Sequence, residues 1–175
     1  NTYSGSGTAV PIANMTAIGN HLYFTAGNGP NGNELWRSDG TVAGTIMVAD
    51  ILTGTGSSSN PTNLTAIDSV LYLAATPSSS IGSELIKFEN NTWTLIKDIN
   101  PGSGSSNPHS FTKIGDVVYF VANDGVAGEE IWVTDGTGAG TRRALDIRPG
   151  TIGSNPRKLF NFQETLMFYA DDGVH

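Results

Sequence analysis

The feature that most restricts what this chain can fold into is its repetition. Pro11, Pro61, Pro108 and Pro156 each precede an apolar stretch, at spacings of 50, 47 and 48 residues. Glu34, Glu84 and Glu130 are spaced by 50 and 46, and Asp50, Asp98 and Asp146, each followed by Ile, by 48 and 48. Unrelated landmarks sharing one period define an internal repeat, so the fold must stack equal units. The 175 residues divide into units at about 11–59, 60–106 and 107–154, followed by half a unit at 155–175.

Each unit contains four strand-like segments. In the third copy the first lies around Phe111 to Ile114, the second is "VVYFVA", the third is "EIWV", and the fourth ends in Asp146-Ile147. The second recurs as "HLYFTA", "VLYLAA" and "LMFYA". Gly19-Asn20 and Gly115-Asp116 suit tight hairpin turns between the first two segments. The second and third segments are continuous apolar runs. A sheet with one wet face alternates apolar and polar residues, whereas a sheet covered on both faces does not. Four-stranded antiparallel meanders covered on both faces and repeated at this spacing predict an all-β chain of β-propeller-type blades, about three and a half of them.

Two stretches are nearly identical: "ELWRSDGTVAGT" from Glu34 and "EIWVTDGTGAGT" from Glu130. Trp36 and Trp132 are expected to fill the gaps between blades. Asp39 and Asp135 are expected to accept local backbone hydrogen bonds, with Gly40 and Gly136 supplying the positive φ of the turn ahead of Thr41 and Thr137. The middle copy, "ELIKFENNTWTL", has Ile86 for the Trp and Glu89-Asn90-Asn91-Thr92 for the turn, with Trp93 placed to restore bulk. The motif reads as a position in a fold and requires no chemistry.

At these residues the sequence resembles the bacterial ELWxxDGT repeat family. "DINPGSGSSNP" and "ADDGVH" match as well, and the resemblance covers the chain after residue 10, most weakly over 78–100. It implies a piece of a large secreted or surface-attached bacterial protein, extracellular or at the cell surface, with a structural, adhesive or self-assembling role. A closed propeller has about four to eight blades. The unfinished unit therefore predicts either a fragment of a longer protein or copies that associate, so the expected partner is the chain itself or further repeats of the same protein.

Strand parity puts the connections between second and third strands at the same end as the Gly/Ser-rich returns, and loops on a rigid scaffold commonly carry function. Asp124, Asp171 and Asp172 lie there, with Glu129 and Glu130 at the start of a third strand. Hard oxygen ligands of this kind suit calcium. The competing reading is that each Asp bonds its own backbone in a turn and that the repeated Glu serves a neighbouring loop amide. Tyr, Trp and Asn at this face also suit glycans, which makes a carbohydrate-binding module, calcium-dependent or not, the alternative to a structural one.

Other chemistry finds no support. "GNGPNG" (Gly27–Gly32) matches G-x-G-x-x-G in letters only, because a strand rather than a helix follows it. His21, His109 and His175 occupy three different repeat positions, and no G-x-S-x-G elbow occurs. The Asp-containing turns bear some likeness to the Asp-boxes of sialidase-like hydrolases, but the letters are ordered differently. Arg37, Arg142, Arg143, Arg148 and Arg157 form no recognisable cluster. The expectation is a protein that is not an enzyme.

A net charge of −7 without a basic stripe excludes the nucleic-acid class. The absence of cysteine excludes a disulfide scaffold and a thiolate metal site. No apolar run reaches membrane-span length. "NTYSGSGTAV" lacks the regions of a signal peptide, so any such segment lies upstream or has been removed. Asn14, Asn63 and Asn90 begin glycosylation sequons; two of them recur at one repeat position, and strand composition accounts for them.

Overall fold

The computed structural model describes residues 12–174, so Pro11 and His175 fall outside it. The described chain forms fourteen strands. The first unit contains β1 (Ala13–Ile18), β2 (His21–Gly27), β3 (Asn33–Ser38) and β4 (Ile46–Ala49). The second contains β5 (Thr62–Ile67), β6 (Val70–Ala75), β7 (Glu84–Glu89) and β8 (Thr92–Lys97). The third contains β9 (His109–Ile114), β10 (Val117–Asn123), β11 (Glu129–Thr134) and β12 (Arg142–Leu145). The chain then forms β13 (Arg157–Phe162) and β14 (Thr165–Tyr169). Each group of four is one antiparallel sheet with its strands in chain order, and the last two form a hairpin. An all-β repeat of four-stranded meanders is what the period predicts.

Two local devices recur in every unit. The first two strands are joined by a turn whose first residue is left-handed, at Gly19 (φ 56°), Asp68 (53°), Gly115 (55°) and Gln163 (51°), as tight hairpins require. Each first strand also carries a bulge at one fixed position, where Asn14, Asn63, Ser110 and Lys158 have φ of 51°, 56°, 58° and 54°. A bulge twists the strand and re-aims its neighbours. Asn14 and Asn63 use this: their side-chain amides donate to the carbonyls of Pro61 and Pro108 at the start of the next unit, at 3.3 and 3.1 Å. Two of the three sequons thus mark a contact between units, a tighter reason than strand composition.

The core lies between sheets. One cluster joins Tyr23 and Leu35 of the first sheet to Leu73, Ile86 and Phe88 of the second, with Trp93 packed against it. The next joins Tyr72 and Leu85 of the second sheet to Phe111, Phe120 and Trp132 of the third. Each sheet therefore has a forward face toward the next unit and a backward face toward the previous one, and both are apolar. The first strands of successive units lie side by side, β1 by β5, β5 by β9 and β9 by β13.

Trp132 fills a gap between sheets, as expected. Trp36 is likewise buried, on the backward face of the first sheet with Phe24, Ala26 and Met47, and the described residues contain no second sheet on that side. The two Trp occupy the same position in their units, but only the third unit has a described neighbour on that side.

Candidate functional site

The invariant element at the loop end is a buried carboxylate. Glu34, Glu84 and Glu130 stand at the starts of their third strands and are fully buried. An unpaired carboxylate there would be very costly, and each unit resolves the problem with the same donors. Oε2 of Glu84 accepts from the Ile99 N–H (2.7 Å) and the Ser106 hydroxyl (2.6 Å), while Oε1 accepts from the Ser106 N–H (2.8 Å). Glu34 does the same with Ile51 (2.8 Å) and with the hydroxyl and N–H of Ser59 (both 2.6 Å). Glu130 uses Ile147 (3.1 Å) and the hydroxyl (2.7 Å) and N–H (2.9 Å) of Ser154. Burial raises the carboxyls of Glu34 and Glu84 above the ordinary value of 4.5, and the Ser hydrogen bonds pull the other way.

The serine also reaches forward. The carbonyls of Ser59, Ser106 and Ser154 accept the N–H groups of Thr76, Asn123 and Asp171 in the following unit, at 2.9, 3.0 and 2.8 Å. One residue thus joins the third strand of its own unit to the end of the second strand of the next, or to the one or two residues just after it. The sequence carries a signal for it, Ser-Asn-Pro written three times at Ser59, Ser106 and Ser154. The Asn that follows is left-handed each time, at φ 48°, 46° and 47°.

The Asp-Gly-Thr turns lie at the opposite end. Oδ1 of Asp135 accepts from the N–H (2.8 Å) and hydroxyl (2.7 Å) of Thr137, whose oxygen in turn accepts the Gly140 N–H (3.0 Å). Thr141 donates back to the Thr137 carbonyl at 2.6 Å. Asp39, Thr41, Gly44 and Thr45 repeat the pattern at 2.9, 2.7, 2.9 and 2.6 Å. These bonds hold the Asp39 and Asp135 carboxyls below their ordinary value of 3.8. Gly40 and Gly136 have φ of 91° and 86°. A Cβ on Gly44 or Gly140 would overlap the Asp carboxylate. The eight letters from Ser38 or Thr134 are one hydrogen-bonded object.

The carboxylates considered for calcium are otherwise engaged. Oδ1 of Asp124 accepts the N–H groups of Val126 (2.9 Å) and Ala127 (2.7 Å), and Oδ2 meets Arg143 at 3.3 Å. Arg143 continues to Asp146 at 3.5 Å. Asp171 caps the Gly173 N–H at 2.7 Å and pairs with Arg148 at 2.6 Å, while Asp172 caps the Val174 N–H at 2.9 Å. Glu129 lies 3.8 Å from His109, and Glu130 is enclosed as above. Among the described residues no three His, Asp or Glu side chains converge as metal ligands would. The loop-end Asp residues act as turn caps and as ion-pair partners between neighbouring segments.

No protein-family model matches the chain, and no curated protein does. Solved structures do. The chain is similar to the computationally designed Ika8 protein, with a TM-score of 0.54 and 18% identity, over 98% of this chain and 46% of that one. It is similar to the computationally designed Ika4 protein with a TM-score of 0.51 and 16% identity, over 98% of both. The chain thus spans about half of Ika8 and nearly all of Ika4. The likeness is one of fold. Among the described residues no helix is long and apolar enough to cross a membrane.

Proposed function

We propose that this chain is a non-enzymatic structural module of an extracellular or cell-surface protein of the ELWxxDGT type, built of β-propeller blades and acting through assembly or adhesion. The side-by-side first strands and the apolar faces between sheets support the blade reading. One observation carries the assembly reading. The forward faces of the first and second sheets are buried beneath the next unit, but that of the last hairpin is open. Phe160, Phe162, Met167 and Tyr169 lie on it and are 47%, 57%, 44% and 68% exposed. Met167 takes the place that Tyr23 and Tyr72 hold in buried clusters. The strand beside this face, β14, pairs only with β13 among the described residues, and an open strand edge is a template for further pairing.

A further unit of the same construction suits this face and edge, supplied by a second copy or by more repeats of the same protein. The test is molar mass by light scattering across a concentration series. Mass should rise with concentration, and the double variant Phe160→Asp/Met167→Asp should hold it at that of one chain. A single-chain mass at every concentration would overturn self-assembly.

A further inference from the structure

Two cavities lie beside the last hairpin. One, lined by Arg157 and Tyr169, lies where β13 begins and β14 ends; the other lies between Tyr119 and Val133 of the third sheet and Leu166 and Phe168 of the hairpin. A different cavity, of about 340 Å³, lies inside the repeat between the first and second sheets. Ile18, Tyr23 and Phe88 line it with Ser69, Glu89, Asn90 and Asn91.

Its origin is the short turn of the middle unit. Between the second and third sheets the same ground is covered by the Asp-Gly-Thr turn of the third unit. A Cβ on Gly136 would stand 3.4 Å from the Tyr72 hydroxyl, and Lys97 of the second unit donates to the Thr141 carbonyl at 2.9 Å. Tyr23 is the counterpart of Tyr72 one unit earlier. The turn that should cover it has been replaced by Asn90-Asn91, both left-handed at φ 51° and 58°. This hairpin closes directly, with Glu89 paired to Thr92, and stops short of Tyr23.

We propose that this cavity is a binding site for a neutral saccharide unit. The lining sets the ligand class. Apart from Glu89, the polar side chains of the lining are neutral: the amides of Asn90 and Asn91 and the Ser69 hydroxyl offer donors and acceptors above Ile18, Tyr23 and Phe88. Strand alternation turns the Glu89 carboxylate to the other face of the sheet, where it pairs with Lys87 at 3.6 Å. No cationic side chain is present in the lining to hold a phosphate or carboxylate, and no set of carboxylates to hold a metal ion. The volume is at the low end of ligand cavities, about 300–1,000 Å³, which suits one sugar ring and not a nucleotide. The proposal is independent of assembly and lies at the end of the sheets opposite the Asp124 loop.

The test is saturation-transfer NMR on the full chain with the methyl glycosides of glucose, galactose, mannose and N-acetylglucosamine. At least one should receive saturation. Replacing residues 89–92 with the Asp135–Gly140 segment, which keeps Phe88 and Trp93, should abolish it by filling the cavity. Asn91→Ala should weaken binding about tenfold, roughly the loss of one hydrogen-bonded contact, while Asp124→Asn at the far end should leave it unchanged. Circular dichroism confirms folding of each variant. If the turn graft fails to fold, Asn91→Ala and Ser69→Ala decide alone. No transfer to any of the four glycosides, or transfer that survives these changes, overturns the proposal.

Discussion

The second and third units solve the same folding problem with different material. The Asp of Asp-Ile follows the buried Glu by 16 positions in the third unit (Glu130, Asp146) and by 14 in the second (Glu84, Asp98). The third spends its extra residues on the Asp-Gly-Thr turn, which folds back over its neighbour, and has a Trp on its backward face. The second closes with two left-handed Asn, extends its fourth strand to six residues against four, and places Ile86 and Trp93 where the third has Trp132. The Glu–Ser link is the same in both. Position within the stack is therefore held by the link at the loop end, while the turn end is free to vary.

This contrast can be broken at several points. The largest effect is expected between the sheets. Trp132→Ala should cost about 3–5 kcal/mol and Ile86→Ala about 2–5 kcal/mol, as usual for buried side chains of these sizes. Urea titration checks both, and near-zero loss for Trp132 would contradict its place between sheets. Next is the shared link. Glu84→Gln turns an amide N–H₂ toward groups that donate, so about 1–3 kcal/mol should be lost per donor left unpaired. Glu130→Gln should behave alike, because the link does not differ between units.

A smaller effect, about 1–3 kcal/mol for forced overpacking, is expected for Gly140→Ala. The added methyl meets the Asp135 carboxylate, and the middle unit, with no such turn, has no equivalent sensitivity. The smallest concerns pH. The folded-state carboxyls of Glu34 and Glu84 lie above 4.5. Between that value and the raised one the folded chain holds protons that the unfolded chain has released, so this contribution is present below 4.5 and lost as pH rises through the window. Asp39 and Asp135 act oppositely, stabilising above 3.8 and ceasing to do so as pH falls through their lowered values. Urea midpoints should therefore be higher in mild acid than at neutral pH, and Glu84→Gln should reduce that difference.

The sequence made the turn end legible because its parts are close together. Asp135, Thr137, Gly140 and Thr141 lie within seven residues, so the letters and the hydrogen bonds can be read together. The loop end was less legible. The Glu suggested a partner amide, but Ser59 and its counterparts stand in Gly/Ser-rich returns where one serine looks like the next. Only pairing across 25, 22 and 24 residues distinguishes them. For Trp36, repeat symmetry gives the position equivalent to Trp132 but says nothing of what lies beside it. The cavity at Tyr23 was hidden in what the middle copy lacks, which spacing alone does not convert into space.

The double duty of Ser59, Ser106 and Ser154 has a consequence for where this chain can be divided. The written repeat runs from one Asn-Pro to the next, but its mechanical joint lies just before that boundary, and each serine ties an earlier carboxylate to a later strand. A piece cut at the Asn-Pro boundaries would retain its Glu and Ser and lose the N–H that the serine carbonyl receives. The better modular cut falls within the unit, so that the excised piece keeps one joint whole. In a stack where each unit is stabilised by its neighbour, moving the cut in this way separates a fragment that carries its own coupling from one that has left it behind.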